Sequence, residues 1–175
     1  CFGPMNTMIS LATGSGSISE ETSAEATDLV EDIADEGIVL LKNEGSTLPL
    51  TAGNLNVFGW ASTNPVYGGT GSGALNDAYH TVTLLEGLEN AGFTLNTELS
   101  DFYTAYRADR PTIAMGTQDW TLPEPPASTY TDEMMANAKA FSDTALVVIS
   151  RSGGEGADLP TDMAAVIDGS WQDGT

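Results

Sequence analysis

Five consecutive apolar residues, Ala145-Leu146-Val147-Val148-Ile149, followed at once by Arg151-Ser152-Gly153-Gly154-Glu155-Gly156, constrain this chain more than any other stretch. A short, unbroken run rich in β-branched residues predicts a strand buried on both faces, as in a parallel sheet. The loop that follows then sits at the carboxyl end of a buried strand, where open α/β sheets place their ligands. Glycines on both sides of Glu155 permit a tight turn that holds the carboxylate out from the sheet edge. Glu155 is the expected working acid, with a solvated loop acid as the alternative.

The other segments supply the elements such a sheet needs. A helix is expected from Ser19 or Thr22, with acids in its first turns, Thr22 and Glu25 at capping-box spacing, and Lys42 and Gly45 at its end. Its apolar positions Ala26, Leu29, Val30, Ile33, Gly37, Leu40 and Leu41 predict one buried face. Leu55 to Gly59 predicts the first core strand, Val82 to Ala91 a helix closed by Gly92, and Phe93 to Leu95 a second strand. Glu98 to Asp109 predicts an amphipathic helix with Leu99, Phe102, Tyr103 and Tyr106 on one side. Residues 110–127 contain four prolines and are expected to be irregular. Thr131 to Phe141 predicts a helix with Met134, Met135, Ala138 and Phe141 inward, feeding the strand at Ala145. Alternating strands and helices predict an α/β fold with parallel strands and right-handed crossovers.

Composition narrows the function classes. Twenty-five acids against five Lys plus Arg give a net charge of −20, a surface that repels phosphate backbones and anionic membranes alike; no nucleic-acid or membrane partner is expected. The single cysteine, Cys1, excludes an internal disulfide framework. One histidine, His80, leaves little material for a zinc site or a Ser-His-Asp triad, so no metal is expected. The chain starts with Cys and ends in the polar GSWQDGT, and is expected to be a piece of something longer. The missing secretory signal therefore leaves both a cytoplasmic and a secreted parent open. Residues 1–19, with Gly14-Ser15-Gly16-Ser17, are expected to be a linker or an N-terminal arm, and 20–175 a partial sandwich domain.

If the strands at Leu55 and Ala145 run parallel, their trailing loops leave the same rim. The first of these holds Gly68-Gly69-Thr70-Gly71-Ser72-Gly73. Gly69 to Ala74 fits G-x-G-x-x-A, but about ten residues separate it from the strand and no ribose-binding acid ends the next strand, which weakens a dinucleotide reading. A flexible turn is a second reading. The third is a polar loop approaching a small neutral ligand, with Ser72 as the hydrogen-bonding group. For Glu155 the functional reading is a general acid/base, its pKa raised by apolar surroundings or a second carboxylate. Asp158 is either its helper or a turn residue, and Arg151 a candidate ion-pair partner.

Several motifs together resemble one family. Glu36-Gly37-Ile38-Val39-Leu40-Leu41-Lys42-Asn43-Glu44, Leu48-Pro49-Leu50, the Val57-Phe58-Gly59 strand, the GGTGSG loop, LLEGLENAGF and VVISRSGGEG follow one another as in the second domain of glycoside hydrolase family 3 β-glucosidases. The resemblance covers about residues 20 to 160 and implies a three-layer α/β/α sandwich with a mostly parallel sheet, here incomplete, beside a TIM-like barrel. It further implies a retaining β-glycosidase with no cofactor and a small carbohydrate substrate. The absent barrel would supply an Asp nucleophile, Glu155 the acid/base, and Ser72, with Gly71, the contact to the sugar. Arg151 and Asp158 are assigned to the same substrate-binding rim. Many relatives follow the glutamate with Gly-Tyr-Asp-Arg; this chain has Gly156-Ala157-Asp158-Leu159 and lacks the aromatic and the arginine. That departure keeps alive a structural domain whose site has decayed, and a non-catalytic α/β binding module for nucleotide or free sugar is a separate alternative.

Overall fold

The structure, a computed structural model, describes residues 18–65, 67, 80–108, 124–151, 153–154 and 158–168. Contacts divide the chain into two units, Cys1–Leu50 and Thr51–Thr175. The expected arm over 1–19 lies, apart from Ile18 and Ser19, outside the described residues.

The first unit is built on helix α1, Glu20–Gly37. Ser19 caps it, its hydroxyl accepting from the Thr22 amide at 3.2 Å, and Glu20 and Glu21 occupy the first turn where the macrodipole favours acids. The helix stops at Gly37, several residues before the expected end near Lys42. Ile38 is already extended (φ −81°, ψ 119°), because glycine followed by β-branched Ile38 and Val39 favours leaving the helix. The predicted buried face is also corrected: no residue of α1 is buried, and Leu41 is 92% exposed. Past the helix, Asn43 brackets a turn by donating from Nδ2 to the Leu48 carbonyl at 2.7 Å and accepting from the Leu48 amide at 3.1 Å.

The second unit contains the sheet. Strands β1 (Asn54–Phe58), β2 (Thr94–Leu95) and β3 (Ala145–Val147) lie in the order β2-β1-β3, and both pairings are parallel. Helix α2 (Leu84–Asn90) links β1 to β2, while α3 (Thr97–Arg107) and α4 (Asp132–Phe141) lie between β2 and β3. Side chains of β1 alternate between faces. Leu55 and Val57 pack with Leu95 against Leu85 and Leu88 of α2. Phe58 joins Trp60, Leu99 and Tyr103 on the side of α3 and α4. Helices on both faces of a parallel sheet make the predicted three-layer arrangement. A short helix α5, Met163–Asp168, was not anticipated from the sequence.

The helix ends follow from local chemistry. Thr83 and Glu86 form a reciprocal capping box at the start of α2, and Gly92, at φ +90°, closes the turn behind it. Asn96 caps α3 and Thr131 caps α4. Met135 points out of α4 rather than inward; Ala138 is the helix's buried residue.

A buried amide ties the sheet to the ends of two helices on one of its faces. Asn56, 3% exposed in mid β1, donates from Nδ2 to the carbonyls of Ala138 (2.8 Å) and Ser142 (3.1 Å) at the end of α4. Its Oδ1 accepts from Asn96 Nδ2 at 2.8 Å. Both donors and the acceptor are satisfied, which is what permits a primary amide in a core.

The reading of β3 needs correction. It was expected to be buried on both faces, yet Val147 is 64% exposed and Leu146 is half-buried. Among the described residues β3 has one neighbouring strand and no helix packed over its outer side. An apolar run reports a strand's affinity for a core, not whether that core is complete.

Candidate active site at the carboxyl rim of the sheet

The site is organised by the parallel register of β1 and β3, which pairs Asn56 with Ala145, Val57 with Leu146 and Phe58 with Val147. Both strands therefore end at the same rim. The Val148 amide donates to the Phe58 carbonyl at 2.8 Å, extending the ladder one step beyond the strands. Beside it Gly59, at φ +104° and ψ 132°, turns the chain away. A Cβ at position 59 would fall on the Val148 carbonyl oxygen. The two loops expected to carry chemistry thus begin in backbone contact, as the sequence predicts for parallel strands.

The loop after β1 starts with a tight 3₁₀ turn, Trp60–Ser62, whose residues are all buried. The Trp60 amide donates to both carboxylate oxygens of Glu124, at 2.9 and 3.1 Å. Ser62 is 2% exposed, and its hydroxyl has no partner among the described residues. Under this turn lie Tyr103, fully buried, and Tyr130, whose hydroxyls are 2.9 Å apart. Burial first, and then the hydrogen bond with Tyr103, push the Tyr130 phenol well above the ordinary tyrosine value; neighbouring charge acts in the same direction. Phe102 meets Tyr103 edge-on at 5.1 Å between ring centroids.

On the other loop, Arg151 is half-buried just past the strand, Gly153 and Gly154 are half-buried, and Asp158 is exposed. Glu155, Gly71 and Ser72 lie outside the described residues. The structure thus brings together the starts of the two predicted loops. Among the described residues no group of three or more His, Cys, Asp or Glu could hold a metal ion. His80 is exposed, with Nε2 3.1 Å from Glu86 Oε1.

Two residues of this region escaped sequence reasoning. Asn56 sits in a strand whose neighbours are apolar, and one polar residue in such a run is the available signal that its amide is buried and satisfied. Glu124 stands in Pro123-Glu124-Pro125-Pro126, where flanking prolines mark a backbone with few alternatives.

Comparison with known proteins agrees with this geometry. The family model described as "Glycosyl hydrolase family 3 C-terminal domain" matches residues 38–170. Beta-glucosidase A of Butyrivibrio fibrisolvens is 36% identical over 128 residues, covering 70% of this chain and 14% of the relative. A beta-glucosidase of Ruminococcus albus is 34% identical over 127 residues, covering 70% of this chain and 13% of the relative. Among solved structures, a beta-glucosidase from Paenibacillus barengoltzii superposes with a TM-score of 0.61 at 36% identity, over 75% of this chain and 14% of that one. Beta-glucosidase 3B from Thermotoga neapolitana, in complex with glucose, gives 0.56 at 28% identity over 74% and 18%. The chain therefore spans a small fraction of the length of these relatives. Motifs, parallel sheet and family match agree: this chain belongs to the glycosyl hydrolase family 3 C-terminal domain family.

Proposed function

We propose that the chain is the α/β part of a retaining β-glycosidase, supplying the general acid/base and part of the sugar cleft while a barrel domain of the longer polypeptide supplies the nucleophile. The observation that supports this most is the shared rim: β1 and β3 end side by side, so the loop carrying Gly71 and Ser72 and the loop carrying Arg151, Glu155 and Asp158 start from adjoining backbone. The relatives named above are beta-glucosidases, and one of them is described in complex with glucose.

In this reading Glu155 protonates the glycosidic oxygen as the bond to the sugar breaks. It then takes a proton from the water that releases the covalent glycosyl intermediate. Retention requires the two carboxylates to stand about 5–5.5 Å apart. The ionised nucleophile at that distance helps keep Glu155 protonated in the free enzyme. Ser72 hydrogen-bonds the sugar, and Arg151 and Asp158 flank the acid.

Glu155→Gln in the full-length parent tests the assignment. Hydrolysis of substrates with poor leaving groups should fall by about 10²–10⁴-fold, and azide should partly restore turnover of those with good leaving groups. An unchanged rate removes Glu155 from the mechanism. The 175-residue chain alone, holding one of the two carboxylates, should not hydrolyse an aryl β-glucoside. Calorimetric binding of NAD to it would favour a nucleotide-binding module instead.

A further inference from the structure

We infer that Glu124 is a positioning residue that fixes where the sugar-contacting loop leaves the sheet. The inference rests on the proposed role of Ser72. Trp60 is the first residue after the Gly59 turn, and Ser72 follows on the same connection out of β1. The Trp60 amide is held by both oxygens of the Glu124 carboxylate, at 2.9 and 3.1 Å. Hydrogen bonds from a backbone amide to a carboxylate are about twice as strong as neutral ones.

Glu124 is itself restrained. Pro125 behind it is buried and confines Glu124 to extended backbone. The Glu124 carbonyl accepts from the Tyr106 hydroxyl at 3.5 Å, tying the segment to α3. With the backbone restrained in this way, only the side-chain torsions of Glu124 are left to order when its carboxylate holds the Trp60 amide. The anchor therefore joins the segment entering α4 to the exit of β1, across 64 residues of sequence. Such a contact acts on catalysis through loop placement, so it belongs to substrate binding rather than proton transfer.

Two measurements test it. In the 175-residue chain, the Trp60 amide proton should lie downfield. Glu124→Ala should remove that downfield shift, and Glu124→Gln should keep part of it. In the full-length parent, Glu124→Ala should raise KM for an aryl β-glucoside about tenfold with kcat within about twofold, and Glu124→Gln, which keeps an amide acceptor, should restore most of the loss. A wild-type KM in Glu124→Ala, where Ser72→Ala does raise KM, overturns the anchor and leaves the site reading standing. A fall in kcat with unchanged KM overturns it also. If Ser72→Ala and Glu155→Gln both leave hydrolysis untouched, the site reading has failed and the anchor's catalytic role falls with it, whereas the Trp60 amide shift still reports the contact separately. Should Glu124→Ala not fold, the Glu124→Gln and Glu124→Asp pair carries the KM comparison.

Discussion

Gly59 and Val148 meet backbone to backbone at the rim of the sheet, and the space a side chain would need at position 59 is filled by the Val148 carbonyl, with its carbon 3.1 Å and its nitrogen 3.2 Å from the ideal Cβ position. The two loops can begin this close together because one residue of the pair has no side chain. Gly59 also has a positive φ of 104°, so it is fixed by conformation as well as by space.

Gly59→Ala should therefore cost about 3 kcal/mol or more, combining strained backbone with a backbone clash that no rotamer relieves. Gly53→Ala is the control: its nearest neighbour, the Thr51 carbonyl oxygen, stands 4.0 Å from the Cβ position and its φ is not positive. That variant should stay within about 0.5 kcal/mol of the parent chain. Urea denaturation of both compares them directly.

Asn56→Ala should destabilise by about 1–3 kcal/mol, since it takes the Asn56 acceptor from the buried Asn96 amide and one donor each from the Ser142 and Ala138 carbonyls, the latter keeping the Ser142 amide. A double-mutant cycle with Asn96→Ala should show a coupling of about 1 kcal/mol. Strict additivity would mean that water takes over these partners.

The raised Tyr130 phenol sets a sign for alkaline stability. An unfolded chain releases this proton near the ordinary tyrosine value of 10.0, while the folded chain keeps it to higher pH. The contribution is thus fully present below pH 10 and is lost as pH rises above it, because the unfolded state is then the one that binds fewer protons. Tyr130→Phe should flatten the decline in denaturation midpoint between pH 10 and 12. Tyrosinate absorbance should assign one late-titrating phenol to Tyr130.

Thr83→Ala removes half of the capping box at α2. It should cost about 1 kcal/mol, and Thr83→Ser should recover most of it. Thermal unfolding of the three chains provides the comparison.

Much of the fold was legible because local signals agreed. Thr83, Asn96 and Thr131 each stand one residue before a helix whose apolar positions recur at helical spacing, and Leu55 and Ala145 each open a short, mostly apolar run. The misreadings have a common origin. Leu40 and Leu41 extend the helical periodicity of α1, but nothing in periodicity registers that Gly37 ends the helix first. Val147 carries the composition of a buried strand, yet burial depends on what packs over it. Glu124 was invisible for another reason: its partner is a backbone amide 64 residues away, and no pattern of side chains announces such a contact. The candidate site was legible as two loops on one rim, and the chemistry assigned to Glu155 and Ser72 came from resemblance.

The strand order has a consequence for how such a domain is made. The earliest of the described strands occupies the middle of the sheet, and its second neighbour is not synthesised until Ala145–Val147 emerges. A nascent chain on the ribosome must therefore carry β1 with one flank bare from the synthesis of β2 at Thr94–Leu95 until β3 emerges. Pairings this distant in sequence close slowly and leave adhesive edges exposed meanwhile, so a pause before residue 148 would prolong the exposure of that flank to chaperones.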